Sequence, residues 1–219
     1  MSVWAILAAA GSGERLGLDR PKAFAPLNDR PLIAESLERL DGSEWIEAMV
    51  VAAPPGWEEP CILVAEEVAA SKVAETVTGG ATRTESVRKA LAEVPEEATV
   101  VLVHDAARPL VTDEVVERVL TAVGNGWDGA VPGLPVSDTL KRVEGEAVAE
   151  TVDRDGLVVA QTPQAFLADV LRRALAAGDA SDCAALVEAA GGRVRFVPGD
   201  RRLLKVTEPA DLELVAGWL

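Results

Sequence analysis

The first fifteen residues constrain this chain more than any other stretch. An apolar run, Val3-Trp4-Ala5-Ile6-Leu7, flows into Ala8-Ala9-Ala10-Gly11-Ser12-Gly13-Glu14-Arg15. The run reads as a buried strand. A strand ending in small residues and glycines lets a ligand approach the backbone closely, and free N–H groups in the turn can hold phosphate oxygens. Arg15 and, after Arg20-Pro21, Lys22 add two positive charges beside it. Together these point to a nucleoside triphosphate site suited to chemistry at phosphorus. Two commoner glycine motifs fit worse. The Walker pattern ends in Gly-Lys-Ser/Thr, which is absent. The dinucleotide fingerprint starts at Gly11 and Gly13 but meets Leu16 where its third glycine belongs, and Gly17 comes one residue late. Its ribose-binding acid should follow a second strand, whereas Glu35 and Glu38 lie in a stretch with helical spacing. An ordinary glycine-rich strand–helix turn is the plain alternative.

Beyond the turn, strand and helix patterns alternate. Residues 3–9, 47–52, 72–77 and 99–103 read as strands, another opens at 129–131, and another covers 193–197. Residues 32–40, 65–70, 82–93, 113–123, 163–177 and 182–190 read as helices, with a last one after Thr207-Glu208-Pro209. Thr112 and Thr207 are expected N-caps. This rhythm predicts an α/β fold: a Rossmann-like three-layer α/β/α sandwich on a mostly parallel mixed sheet. Ligands on such sheets gather at the carboxyl ends of strands, where the glycine turn, Gly79-Gly80 and His104-Asp105 all fall. Residues 137–143 and 147–152, around Glu144-Gly145-Glu146, break the rhythm as a β-hairpin. We read residues 1–219 as one domain with an arm, 135–159, inserted in it. The arm has little core to cover it, and a second subunit is the economical cover.

The net charge is −15 over 219 residues, which argues against a nucleic-acid binder. An acidic chain that binds a polyanion must gather its cations locally, so Arg and Lys inside glycine-rich or proline-flanked motifs are the candidates. Two cysteines, Cys61 and Cys183, have no metal spacing and read as free thiols in a reducing compartment. One histidine excludes a multi-histidine metal site. No run reaches the ~18 apolar residues of a membrane span, and the apolar N-terminus lacks the basic start of a secretory signal, so the expectation is a cytoplasmic protein.

Asp105 stands past an apolar strand and before Ala106-Ala107-Arg108-Pro109, placed to meet a magnesium ion, which one or two carboxylates plus phosphates commonly hold. A loop cap is its bland alternative. His104 reads as structural, and Arg108 as a partner of Asp105 or an organiser of the loop. Gly79-Gly80-x-x-Arg83-x-x-Ser86 opens a helix, with Arg83 and Ser86 on one face and Gly80 free to let backbone amides read a base edge. Lys205 lies just before a helix N-terminus, where anions are favoured.

The order of these signals, with Val103-His104-Asp105-Ala106-Ala107-Arg108-Pro109, Asp138-Thr139, Thr151-Val152-Asp153-Arg154, Gln161-Thr162-Pro163-Gln164 and Lys205-Val206-Thr207, resembles the 2-C-methyl-D-erythritol 4-phosphate cytidylyltransferases of the non-mevalonate isoprenoid pathway. The resemblance spans essentially the whole chain. It implies a homodimeric nucleotidyltransferase that joins CTP to methylerythritol phosphate with Mg²⁺ and releases pyrophosphate. It implies catalytic roles for Arg15, Lys22, Lys205 and Arg154. Ala9, Ala10, Gly11, Gly13, Gly80, Arg83, Ser86, Asp105 and Ala106 are expected at CTP, with Asp105 on the metal. Thr139, Arg154, Thr162, Lys205 and Arg108 are expected at the methylerythritol phosphate, with Thr139 and Arg154 delivered by the partner's arm. Two departures stand out. Ala23 follows Pro21-Lys22 where the family usually has Gln, and Cys183 follows Asp182 where it usually has an acid.

Two anions reacting at phosphorus need neutralisation and alignment more than a general base, so a site without a catalytic histidine is chemically sufficient. The competing expectations are a ribitol 5-phosphate cytidylyltransferase, an NAD-dependent dehydrogenase, and a non-catalytic nucleotide-binding module.

Overall fold

The structure, a computed structural model, describes residues 1–219. The chain runs β1 (Val3–Ala8), a two-residue ribbon of β2 (Pro26–Leu27) and β3 (Arg30–Pro31), α1 (Leu32–Asp41), β4 (Ala48–Ala53), α2 (Glu58–Glu67), β5 (Val73–Thr78) and α3 (Arg83–Ala92). It continues through β6 (Val100–Asp105), α4 (Asp113–Gly124), β7 (Gly129–Pro135), β8 (Leu140–Glu144), β9 (Ala147–Val152), β10 (Val158–Ala160) and β11 (Gln164–Leu167). It ends with α5 (Ala168–Ala177), α6 (Cys183–Ala189), β12 (Val194–Pro198) and α7 (Pro209–Ala216).

The main sheet has the order β10-β7-β11-β6-β1-β4-β5, with β12 on the other side of β7. β6, β1, β4 and β5 pair in parallel, as do β7 and β12, while β10 and β11 run antiparallel to their neighbours. Both faces are covered, which is why β1 and β6 read as continuous apolar runs rather than alternating ones. Val3, Ala5 and Leu7 join a core with α1, α2 and α4 on one face. Ile6 joins a core with α3, α5 and α6 on the other. A third cluster holds Leu16, Leu27, Leu32, Val206 and Val215, packing α7 beside the glycine turn. Leu16 is therefore an anchor of that turn, which explains the missing third glycine of a dinucleotide motif.

Several elements differ from the sequence reading. The helix expected at 65–70 is α2, Glu58–Glu67, which starts and ends earlier than expected. Two acids occupy its first turn, Cys61, Val64 and Ala65 face the core, and Ala69 leaves the helix with a φ of 54°. The helix expected over 163–177 begins at Ala168; Gln164–Leu167 is the antiparallel strand β11, wedged between β6 and β7. Burial of Gln164, Ala165 and Phe166 between two strands outweighs local spacing. Thr207 is not the N-cap of α7: Glu208 is, in a capping box with Asp211, whose carboxylate also accepts the Thr207 hydroxyl at 2.7 Å. Thr112 has N-cap geometry for α4 without a side-chain bond.

The hairpin forms, with Leu140 opposite Val152 and a register shift between Arg142 and Val143, but residues 137–139 are not part of its strand. Pro135, Val158 and Val159 belong to the main sheet, so the excursion proper lies between them. Every residue from Lys141 to Thr151 is exposed, and Val143 and Val148 keep 58% and 61% of their surface in solvent.

Candidate active site

The loops after β1, β5 and β6 meet at one cleft. The parallel ladder continues one residue past the strands: Ala9 N–H donates to Ala52, Gly79 N–H to Ala53 and Ala106 N–H to Ala8. The loops after β1, β5 and β6 thus leave the sheet in fixed register. The cleft has a volume of about 480 Å³, the size of a small-ligand site. Its walls include Ala8 to Ser12, Glu14, Lys22, Ala23, Gly80 to Arg83, Ser86, Asp105 to Ala107 and Lys205.

The glycine turn is shaped by two features. Gly13 has a φ of +77°, and a Cβ there would lie 2.9 Å from the Lys22 backbone nitrogen. Only glycine lets the turn fold flat against Lys22, whose N–H donates to the Gly11 carbonyl at 3.2 Å. Across the cleft, a Cβ on Gly79 would lie 2.3 Å from the Ala10 Cβ, so these two loops touch because both residues are small. Thr82 caps α3 by accepting the Glu85 N–H at 3.1 Å. Ser86 Oγ accepts the Gly80 N–H and donates to the Thr82 carbonyl, both at 2.9 Å. The Ser86 hydroxyl therefore organises the loop that walls the cleft.

Asp105, 6% exposed, is the electrostatic centre. Arg83 Nε donates to its Oδ1 and Lys205 Nζ to its Oδ2, each at 2.8 Å. Burial pushes the carboxyl up, but Arg83 and Lys205 outweigh it and hold it well below the usual carboxylate range. Burial, then Lys205 and Arg15, push Lys22 below the usual lysine value. Three cations, Lys22, Arg83 and Lys205, face two carboxylates in the walls of an otherwise acidic protein. This local surplus is what a polyphosphate requires.

Other candidates lie elsewhere. Arg15 is exposed and outside the cleft wall, acting on Lys22 through its charge. Arg108 does not pair with Asp105; its guanidinium donates to the Leu203 carbonyl at 2.6 Å and reaches the Ala160 carbonyl at 3.4 Å. Thr162 is buried behind the wall, accepting the Asp105 N–H at 3.0 Å. Thr139 and Arg154 are exposed on the arm, outside the cleft, and Arg154 donates to the Ser137 carbonyl. His104 is fully buried and bonded at both ring nitrogens. The sequence did not mark Ala8, Ser12, Glu14, Ala23, Ala81, Thr82 and Ala107 as wall residues, although each adjoins a residue that it did mark. It also missed that Cys183 Sγ accepts from Arg83 at 3.4 Å, and that Asp182 caps α6 while accepting from Gln164.

A family profile described as 2-C-methyl-D-erythritol 4-phosphate cytidylyltransferase matches residues 3–219. The chain belongs to this family. A cytidylyltransferase of that description from Saccharopolyspora erythraea is 47% identical over the whole of both chains. One from Frankia casuarinae is 44% identical over 99% of this chain and 81% of its own. Among solved structures, a 4-diphosphocytidyl-2C-methyl-D-erythritol synthase superposes with a TM-score of 0.85 at 34% identity, covering 98% and 97% of the two chains. The Thermus thermophilus cytidylyltransferase superposes at 0.80 and 35% identity, covering 100% and 98%. These comparisons favour methylerythritol over ribitol phosphate, and a transferase over a dehydrogenase or a passive binding module. The fold is that of the family, and the departures sit in its cleft or behind it. Ala23 is buried in the wall after Lys22, and Cys183 lies under Arg83.

Proposed function

We infer that the cleft between the glycine turn, α3 and Lys205 is where this nucleotidyltransferase joins CTP to 2-C-methyl-D-erythritol 4-phosphate, giving 4-diphosphocytidyl-2-C-methyl-D-erythritol and pyrophosphate. The observation that carries the assignment of the site is Asp105 held between Arg83 and Lys205 beside the backbone of Ala8 to Ser12. Ala9, Ala10 and Gly11 are read as the small-residue wall of a pyrimidine-sized base pocket, and Gly80, whose N–H is held by Ser86 and whose open side faces Glu85, shapes the loop opposite. Gly13 shapes the turn, and Ala106 continues the wall past Asp105. Backbone donors and acceptors are fixed in polarity, so they separate cytosine from uracil.

A phosphate oxygen of methylerythritol phosphate attacks the α-phosphorus of CTP, and pyrophosphate leaves. Lys22 and Lys205 neutralise charge that builds on the transferring group, and Arg15 adds to their field. The depressed affinity of Lys22 for its proton is relieved when polyphosphate arrives among these cations. Asp105 stays ionised and aligns Arg83 and Lys205.

Mg²⁺ suits this donor set. The chain gathers no group of three or more metal-ligating side chains, and Mg²⁺ takes one carboxylate plus phosphates and water. Asp105 would hold it, sharing oxygens now given to Arg83 and Lys205, and the ion would offset charge on the triphosphate.

Thr139 and Arg154 are read as groups for the acceptor phosphate, supplied across a homodimer. The exposed apolar Val143 and Val148 of an uncovered two-stranded ribbon support that reading. Thr162 and Arg108 serve the acceptor side from behind the wall. Residues 1–219 form one nucleotidyltransferase domain, and the segment between Pro135 and Val158 is its arm. No helix is long and apolar enough to cross a membrane, and a cytoplasmic location follows from the reading.

Pyrophosphate release tests this directly, with four nucleotides against methylerythritol phosphate and ribitol phosphate over a range of Mg²⁺. Turnover is expected with CTP and methylerythritol phosphate, and Asp105→Asn should raise the Mg²⁺ needed. Equal turnover with UTP would remove the base-reading assignment. An unaltered magnesium titration in Asp105→Asn would remove Asp105 from the metal.

A further inference from the structure

Gly80 and Ala81, in the loop between β5 and α3, both line the cleft, yet their backbone N–H groups are already spent. The Gly80 N–H donates to Ser86 Oγ and the Ala81 N–H to Glu85 Oε2, each at 2.9 Å. Their carbonyls accept no bond within the chain. Before them, Gly79 is used on both sides: its N–H donates to the Ala53 carbonyl, and its carbonyl accepts from Lys89 Nζ at 3.1 Å. At Gly80 and Ala81 the backbone therefore has acceptors left to offer a ligand, and no donor.

Glu85 keeps this arrangement from outside the cleft wall. Its own N–H donates to Thr82 Oγ1 at 3.1 Å, so the first turn of α3 fixes where its side chain starts. Its stem lies over Gly80: a Cβ on that glycine would be 2.3 Å from Glu85 Cγ. Lys89, one turn on, pairs with Glu85 Oε1 at 3.2 Å, which leaves Oε2 for the Ala81 N–H.

Polarity is what separates the two pyrimidines. Cytosine carries an exocyclic amino donor where uracil carries a carbonyl acceptor. Backbone carbonyls suit the first and leave the second unpaired, whereas a free N–H would suit the second. We propose that Glu85 is a positioning residue for base selection: by taking the Ala81 N–H, it leaves Gly80 and Ala81 with carbonyls for the amino group of cytosine and no donor for uracil. Glu85 does not itself touch the nucleotide. The inference rests on the reading that this cleft takes CTP with its base toward the Gly80 loop.

Steady-state pyrophosphate release with CTP and with UTP tests it in the wild type, Glu85→Met and Glu85→Gln. Methionine keeps the stem over Gly80 and removes the acceptor, while glutamine keeps an acceptor oxygen without the charge. Glu85 holds 39% of its side-chain surface in solvent, so both variants should fold, and thermal melting checks this. Glu85→Met should lower the ratio of kcat/KM for CTP to that for UTP by about tenfold, the worth of one hydrogen bond. The loss with CTP should lie in KM, with kcat kept within about twofold. Glu85→Gln should restore the wild-type ratio. If UTP turns over too slowly to read, its inhibition constant against CTP takes its place. A wild-type enzyme that uses UTP as well as CTP would remove the reading of the base site, and the proposal with it. Where the wild type prefers CTP, an unchanged ratio in Glu85→Met, or equal losses with both nucleotides, would overturn the proposal alone, since a merely loosened loop penalises both bases alike. A Glu85→Gln ratio as low as that of Glu85→Met would also overturn it, because the charge and not the acceptor would then matter.

Discussion

His104 shows how burial decides the role of a residue type. As the only histidine it invites assignment as a base, yet both ring nitrogens are spent on Thr162 and the Arg108 carbonyl. Burial pushes its pKa down to about 4, against the favourable effect of Asp105. The folded ring therefore stays neutral where the unfolded ring takes a proton. Stability from this residue is complete above the ordinary histidine value and is lost as pH falls from there toward about 4. At ~1.4 kcal/mol per pH unit, the loss by pH 5 should be roughly 2 kcal/mol. Urea unfolding of metal-free protein at pH 7 and pH 5, compared with His104→Asn, reads this term. A ring that titrates near its ordinary value in the folded protein would contradict it.

At the scale of elements, the cleft exists because loops after parallel strands are pressed together by small residues. Gly79 joins β5 to the start of α3, and its missing Cβ leaves room for Ala10. Gly79→Ala should push the two loops apart, raise KM for CTP by about tenfold or more, and destabilise the fold by roughly 1–3 kcal/mol through overpacking. Ala10→Gly in the same chain should recover part of the affinity. The Ala53 carbonyl, 2.9 Å from the same Cβ position, would limit the recovery. A KM for CTP unaffected by Gly79→Ala would show that this contact does not shape the nucleotide site. The cap of α3 is a separate contribution: Thr82 satisfies one backbone donor, worth about 1 kcal/mol.

At the scale of the whole molecule, the cleft and the arm are separate. Lys22 lies in the cleft wall, whereas Arg154 lies at the end of an exposed ribbon. If arms interlock between two subunits, an Arg154→Ala chain mixed with a Lys22→Ala chain restores one wild-type site per heterodimer. Random exchange makes about half the dimers mixed, so activity should recover to about a quarter of wild type per site. Co-purification of differently tagged chains checks the exchange. Confirmed heterodimers without recovered activity would place Arg154 in its own chain's chemistry.

Residue patterns along the chain settle local matters. Apolar runs on β1 and β6 marked strands buried on both faces, and small residues after them marked close backbone approach. The succession of motifs marked the family, the glycine turn and Asp105. Gln164–Leu167 kept helical spacing and became β11, because the gap between β6 and β7 supplies hydrogen bonds that no neighbouring residue could announce. The partners of Asp105 were likewise hidden. Arg108, three residues on, was the near candidate, but the ion pairs come from Arg83 and Lys205, 22 and 100 residues away. Hydrophobic periodicity reports which face of an element is buried. Which charged groups then share that buried space depends on strand order and on loops packed end to end, and only the tertiary structure decides that.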